Sequence, residues 1–218
     1  CYFSQKYALF QYLFPVAKKI FPIKLFRLSL VKIIKTVSLQ DEALFIRQLL
    51  DPKTQNEAFR RLLTEYQRPL YRHIRNIVLD HDDTDDVLQN TFIKIFNNLK
   101  HFKGESKLFS WMYRIATNEA ITFINQRARK AGISNEELQS KAVGKLEADV
   151  NYDGDEIQLK LQKAVATLPE KQQLVFKMKY FEELKYEAIS EILGTSVGAL
   201  KASYHHAVKK IEEYLNSV

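Results

Sequence analysis

A single cysteine, Cys1, stands in the whole chain, which excludes an internal disulfide framework and any cysteine-based zinc site. A reducing cytoplasm is the expected compartment. With only 6 glycines and 5 prolines among 218 residues, few positions force a helix to stop. The abundance of Leu, Ile, Lys and Glu then favours an all-α class. Long apolar runs are also missing. The longest stretch without a charge, Tyr7 to Ala17, is too short to cross a bilayer, and no small-residue cleavage site follows it. There is no Ser/His/Asp arrangement and no glycine-rich phosphate loop, and His205-His206 lack a partner set for zinc. No enzymatic activity, small-molecule substrate, cofactor or metal is expected. The length allows one or two domains with real cores.

Acidic residues are absent from the first 36 positions, where Lys6, Lys18, Lys19, Lys24, Arg27, Lys32 and Lys35 stand alone. That segment accounts for the whole net charge of +7, so the body of the chain is neutral in sum. Residues 1–36 are apolar, aromatic and basic, broken by Pro15 and Pro22. A basic segment that lies on a membrane surface fits such a composition. The chain begins with Cys and its first Met is Met112, so we expect a natural start at a non-AUG codon near Val37, with 1–36 as upstream read-through.

The neutral body is strongly zoned. Lys94, Lys100, Lys103, Lys107, Arg114, Arg127, Arg129 and Lys130 face only Glu105 and Glu119 over that span. An acidic knot, Asp80, Asp82, Asp83, Asp85 and Asp86, precedes it, and 136–156 is acidic again. The knot has neither the glycine turn nor the closing Glu of a calcium loop.

The basic zone contains the most distinctive stretch. After the loop Lys103 to Lys107 comes one long helix in which Arg114, Asn118, Thr122, Asn125 and Arg129 fall within an arc of roughly 80°, with Trp111 inside it. Leu108, Met112, Ile115, Ala116, Ala120, Phe123 and Ile124 form the opposite, core-facing stripe, into which Glu119 intrudes as a misfit. Cations address phosphates, amides read base edges and an indole receives a base, which suits a nucleic acid with unstacked bases. A solvated face with one Trp at a domain edge fits the same arc.

Hydrophobic spacing places about four helices over 40–130, with Thr84 expected to open the helix that carries Leu88, Phe92, Ile95, Phe96 and Leu99. Residues 131–156 hold Gly132, Gly144 and Gly154 and little apolar periodicity, and are expected to form a flexible acidic linker with at most one weak helix. A second helical domain over 157–218 begins with Ile157 to Leu168 and a helix after Pro169 that buries Leu174, Val175, Met178 and Phe181. It ends in a helix to Leu193, a turn at Gly194 and a capped helix from Thr195 or Ser196. That pattern predicts a helix-turn-helix. Its second helix leaves Ala199, Lys201, Ala202, Ser203, His205, His206 and Lys209 outward, small and polar first and basic later, as a helix entering a major groove requires. An ordinary αα-hairpin shares the outline.

The run DTDDVLQNTFIKIFNNLKHFKGESKLFSWMYRIATNEA over 83–120, followed by LPEKQQLVFKMKYFEELKYEAISEILGTSVGALK over 168–201, resembles the two-domain extracytoplasmic-function sigma factors of bacterial RNA polymerase. The resemblance spans Gln40 to Val218. It implies that Asp83, Asp85, Asp86, Gln89 and Phe92 contact core RNA polymerase. It also implies that the loop and helix including Lys103, Phe109, Trp111, Arg114, Asn118, Thr122, Asn125 and Arg129 recognise the promoter minus-ten element and hold a flipped base, with Asn118 as reader. The helix-turn-helix would read the minus-thirty-five element as duplex, and an anti-sigma factor is an implied further partner. The family often has Ala at position 190, Pro at 196 and an Arg-rich face at 202–206, so the second domain is expected to bind DNA with altered strength or specificity. Two other functions remain compatible with parts of the sequence. A helix-turn-helix regulator that binds duplex DNA without polymerase leaves the acidic helix and the amide-and-Trp face without a role. An adaptor that joins its own acidic and basic zones, or those of a partner, leaves the helix-turn-helix without one.

Overall fold

A computed structural model describes residues 39–145 and 156–217. The expectations for 1–36, and for the latter part of the acidic stretch, lie outside these residues. All regular secondary structure among the described residues is helical. It runs α1 Leu39–Leu50, α2 Gln55–Val78, α3 His81–Asn98, a 3-10 turn Leu99–His101, α4 Leu108–Ala131, α5 Asn135–Lys145, α6 Glu156–Ala166, α7 Glu170–Tyr180, α8 Tyr186–Leu193 and α9 Val197–Ser217.

Two local boundaries differ from the sequence-based expectation. α3 starts one turn before Thr84, because Leu79 ends α2 in a left-handed conformation (φ 66) and leaves Asp80 as N-cap. The Asp80 carboxylate accepts the Asp83 N–H at 3.1 Å, while Thr84 lies buried in the first turn and donates to the Asp80 carbonyl. Carboxylates at that end also face the positive pole of the helix. The second difference is α5, which turns part of the expected flexible linker into packed structure. Gln139 and Val143 are buried, and the Gln139 amide donates to the Ile77 carbonyl at 3.0 Å. An 11-residue helix is marginal in water and gains its stability from such packing, which local sequence cannot report.

One apolar core joins the two halves of the chain. Phe45, Leu62, Ile74, Ile95, Met112 and Ala116 pack in the same cluster as Leu174, Val175, Met178, Ile189 and Leu200. A second cluster, built from Leu161, Val165, Leu168, Phe176, Ala207 and Ile211, belongs to the C-terminal half alone. α7 lies between the two clusters, and every residue from Gln173 to Met178 is buried.

Lys177 is therefore enclosed, and among the described residues its ammonium meets only Gln173 Oε1, at 3.3 Å. Burial pushes its pKa down from 10.5 to about 8. Between those values the native chain binds fewer protons than the unfolded one, so stability rises with pH across that window. Below it both states are protonated and the full cost, roughly 3 kcal/mol, is present. Lys177→Met is expected to raise stability near neutral pH and to flatten the rise. Denaturant titrations at about pH 7 and about pH 9.5 check this, below the range where Tyr ionisation intervenes. Equal slopes in both proteins would refute it.

Candidate nucleic-acid interface

α4 is seated by a continuous apolar side. Leu108, Met112, Tyr113, Ala116, Ala120, Ile124 and Ala128 are buried, with Ser110 and Thr117 among them. Glu119 is not an intruder in the core: its carboxylate pairs with Lys94 across the α3–α4 contact. A pairing partner 25 residues away left no local signal.

The opposite arc is polar and open. Arg114, Asn118, Thr122 and Arg129 are exposed, whereas Trp111 and Asn125 are half-buried. Asn118 and Thr122 make no side-chain hydrogen bond among the described residues. The other members are partly engaged. Asn125 Oδ1 accepts from Asn135 of α5 at 2.5 Å, Arg129 Nε donates to the Asn125 carbonyl at 3.2 Å, and Arg114 donates to the Glu191 carbonyl of α8. Trp111 packs against Phe102 with ring centroids 5.0 Å apart, and Phe109 against Tyr113 at 4.1 Å. The loop between Phe102 and Leu108 is fastened at these two buried ends, while Lys103, Gly104, Glu105 and Lys107 are exposed. Gly104 takes φ +73, a conformation that side chains disfavour.

In the C-terminal half, Gly194 (φ 64) ends α8, and Ser196 Oγ accepts the Ala199 N–H at 3.3 Å to start α9. Leu200, Ala207 and Ile211 are buried, and Tyr204 stacks on Phe176. Ala199, Lys201, Ala202, His205, His206 and Lys209 are exposed and Ser203 is half-buried, so these residues share the outward side of α9. Lys209 lies 3.8 Å from Glu213, and Lys201 sits over the Tyr186 ring.

On α3, Asp85, Asp86 and Gln89 are exposed. Asp83 pairs with Arg127 of α4, which directs it along the protein surface. Phe92 is a correction: it belongs to the core at 9% exposure, so its ring is not offered outward. Ile93 and Phe96 are the apolar residues on that outer side, at 52% and 39% exposure. Ile93 lies off the Leu88–Phe92–Ile95 stripe by helical spacing and could have been found that way; Phe96 turns outward against Phe59.

Sequence reasoning missed a set of polar contacts between the halves. Buried His73 of α2 places Nδ1 3.0 Å from the Glu182 carboxylate, just past α7, and Nε2 2.8 Å from Thr117 of α4. Asn76 reaches the same carboxylate at 3.5 Å. A histidine inside the apolar stripe Leu70, Ile74, Ile77 was the one available hint.

Comparison with known proteins agrees with this architecture. The family model for sigma-70 region 2 matches residues 62–130, and that for sigma-70 region 4 matches residues 158–211. The ECF RNA polymerase sigma-E factor of Haemophilus influenzae is 30% identical over 182 residues, covering 80% of this chain and 94% of that protein. CnrH, solved in complex with the cytosolic domain of CnrY, superposes with a TM-score of 0.59 at 18% identity, over 81% of this chain and 97% of that one. The sigma factor RpoE of Bartonella quintana, solved with the anti-sigma factor NepR, gives 0.55 at 20% identity, over 72% and 96%. The chain belongs to the ECF group of sigma-70 family RNA polymerase sigma factors, which direct promoter recognition and transcription initiation.

Proposed function

We propose that α4 and the loop before it capture the promoter minus-ten element as single strand, that α9 reads the minus-thirty-five element as duplex, and that the outer side of α3 docks on core RNA polymerase. The observation that carries the first assignment is the pairing of opposites on α4. One side is buried throughout, and the other presents the unengaged amide of Asn118 and hydroxyl of Thr122 between cations, beside an indole. Asn118 would read a base edge, Trp111 would wall the base, and Lys103, Arg114 and Arg129 would hold phosphates. No bond is made or broken. Binding free energy offsets the few kcal/mol that unstacking a base costs, and stacking returns roughly 1–3 kcal/mol of it. Such a factor acts in the cytoplasm, needs no cofactor, and is open to control by an anti-sigma factor, as the solved complexes of its structural neighbours suggest.

Asn118→Ala is expected to reduce open-complex formation on a matched promoter about tenfold while leaving polymerase association intact, since one bidentate base contact is worth about 1–3 kcal/mol. Permanganate reactivity at the start site measures it. Unchanged reactivity would remove Asn118 from the mechanism.

The arrangement of the halves bears on how the factor works. Centres of the two promoter elements lie about 25 base pairs apart, about 85 Å along B-form DNA. α8 lies against α4, with Arg114 bonded to the Glu191 carbonyl, so both reading faces cannot reach their elements together in this arrangement. We infer that the halves separate when the promoter is engaged.

A further inference from the structure

The first turn of α4 lacks the groups that ordinarily hold a helix N-terminus. Its N-cap, Lys107, makes no side-chain cap bond, and no acidic residue lies in the first turn. The N–H groups there have no intrahelical partner and need acceptors, and the positive pole of the helix favours a carboxylate. The structure supplies one from elsewhere: Glu42 of α1, whose Oε1 accepts the Leu108 N–H at 2.9 Å across 66 positions of sequence. Glu42 is half-buried, and α1 is held in the core by Phe45 and Leu49, so this carboxylate is carried on a fixed element.

We propose that Glu42 is a positioning residue for single-strand capture, because it fastens the end of the Lys103–Lys107 loop and the first turn of α4 from outside that segment. This inference rests on the assignment of α4 to the minus-ten element. Phe102 anchors the front of the loop by burial against Trp111, and Leu108 anchors the back by burial together with the Glu42 bond. Between them the loop is exposed and basic, and its geometry depends on both anchors. The same first turn leads directly into Trp111, so a frayed N-terminus would loosen both the loop that meets the backbone and the indole that meets the base. Ordering them would then fall on the binding step, weakening it.

The test uses the full chain, Glu42→Ala and Glu42→Gln. The probe is a single-stranded oligonucleotide carrying the non-template minus-ten sequence of a promoter located by transcript mapping. Glu42→Ala should bind it about tenfold more weakly, in line with the loss of a helix cap. Assembly with core polymerase should be unchanged. Glu42→Gln should stay within about threefold of the parent, because the amide oxygen still accepts the Leu108 N–H although the charge is gone. Hydrogen exchange over 103–111 should quicken in the Ala variant alone. Equal oligonucleotide binding by Glu42→Ala and the parent would overturn the proposal, as would parallel loss of polymerase assembly or a Gln variant as weak as Ala. Asn118→Ala, measured beside them, separates the two levels. If it weakens binding and Glu42→Ala does not, the Glu42 proposal alone falls; if neither does, the assignment of α4 falls with it.

Discussion

Fastening the two halves together is expected to stop promoter binding. Asn76→Cys and Glu182→Cys place thiols on the two sides of the seam, where the native side chains approach to 3.5 Å. Cys1→Ser removes the only competing thiol. A short bis-maleimide containing a reducible disulfide then holds α2 to the segment after α7. Each half keeps its reading face, but the two can no longer engage elements about 85 Å apart. Two-site attachment commonly exceeds one-site attachment by about 10²–10⁴-fold, and that whole factor is at stake when geometry forbids the second contact. Gel-shift titration with polymerase holoenzyme should show a loss of at least about 100-fold, reversed on reduction of the linker. Full binding by the linked protein would mean that the closed arrangement is the one that works on DNA. Glu182 also carries the hydrogen bond to His73, so the unlinked double variant is the necessary reference.

The second large effect concerns α3. Asp86 is exposed and makes no ion pair among the described residues, and Ile93 lies on the same outer side at 52% exposure. Neither contributes to the core, so replacing them should leave the melting temperature within a few degrees of the parent. Asp86→Lys puts a like charge where a basic partner surface would meet an acidic one, and Ile93→Asp forces an unpaired carboxylate into a contact that should be dry. Each costs several kcal/mol at a protein interface, so affinity for core polymerase should fall about 100-fold or more in either variant. Pull-down with purified core polymerase reads this directly. Unchanged association of both would reject α3 as the docking element. Phe92→Ala would be a poor substitute, because its ring is buried and the variant would lose stability first.

Much of this is legible in the amino-acid sequence. The stripe Leu108, Met112, Ala116, Ala120, Ile124 predicted which side of α4 is buried, because helical periodicity is a local property of backbone geometry. The Gly194 turn was equally visible, since a left-handed residue at a helix end selects glycine. The differences have two causes, family pattern set against local spacing and partners that lie far away in the chain. Phe92 is a polymerase contact only by what the resemblance implies, and its burial follows the spacing that sets it on the apolar face with Leu88 and Ile95. Glu119 seemed misplaced because its partner Lys94 lies on another helix, and the linker helix α5 read as weak because its support comes from Ile77 of α2. Glu42 gave no hint of a role near α4 at all.

Sequence by itself determined the helical class, the order of the helices, the outward chemistry of α4 and α9, and the family, all of which depend on periodicity, turn chemistry and short contiguous motifs. Only the tertiary structure decided how the halves meet: the shared core, the enclosed Lys177, His73 between Glu182 and Thr117, and the Glu42 cap on α4. The physical reason is that those contacts join residues far apart in the chain through ordinary carboxylates, amides and aliphatic groups. Each has many possible partners until the backbone closes, and packing then leaves only one within reach.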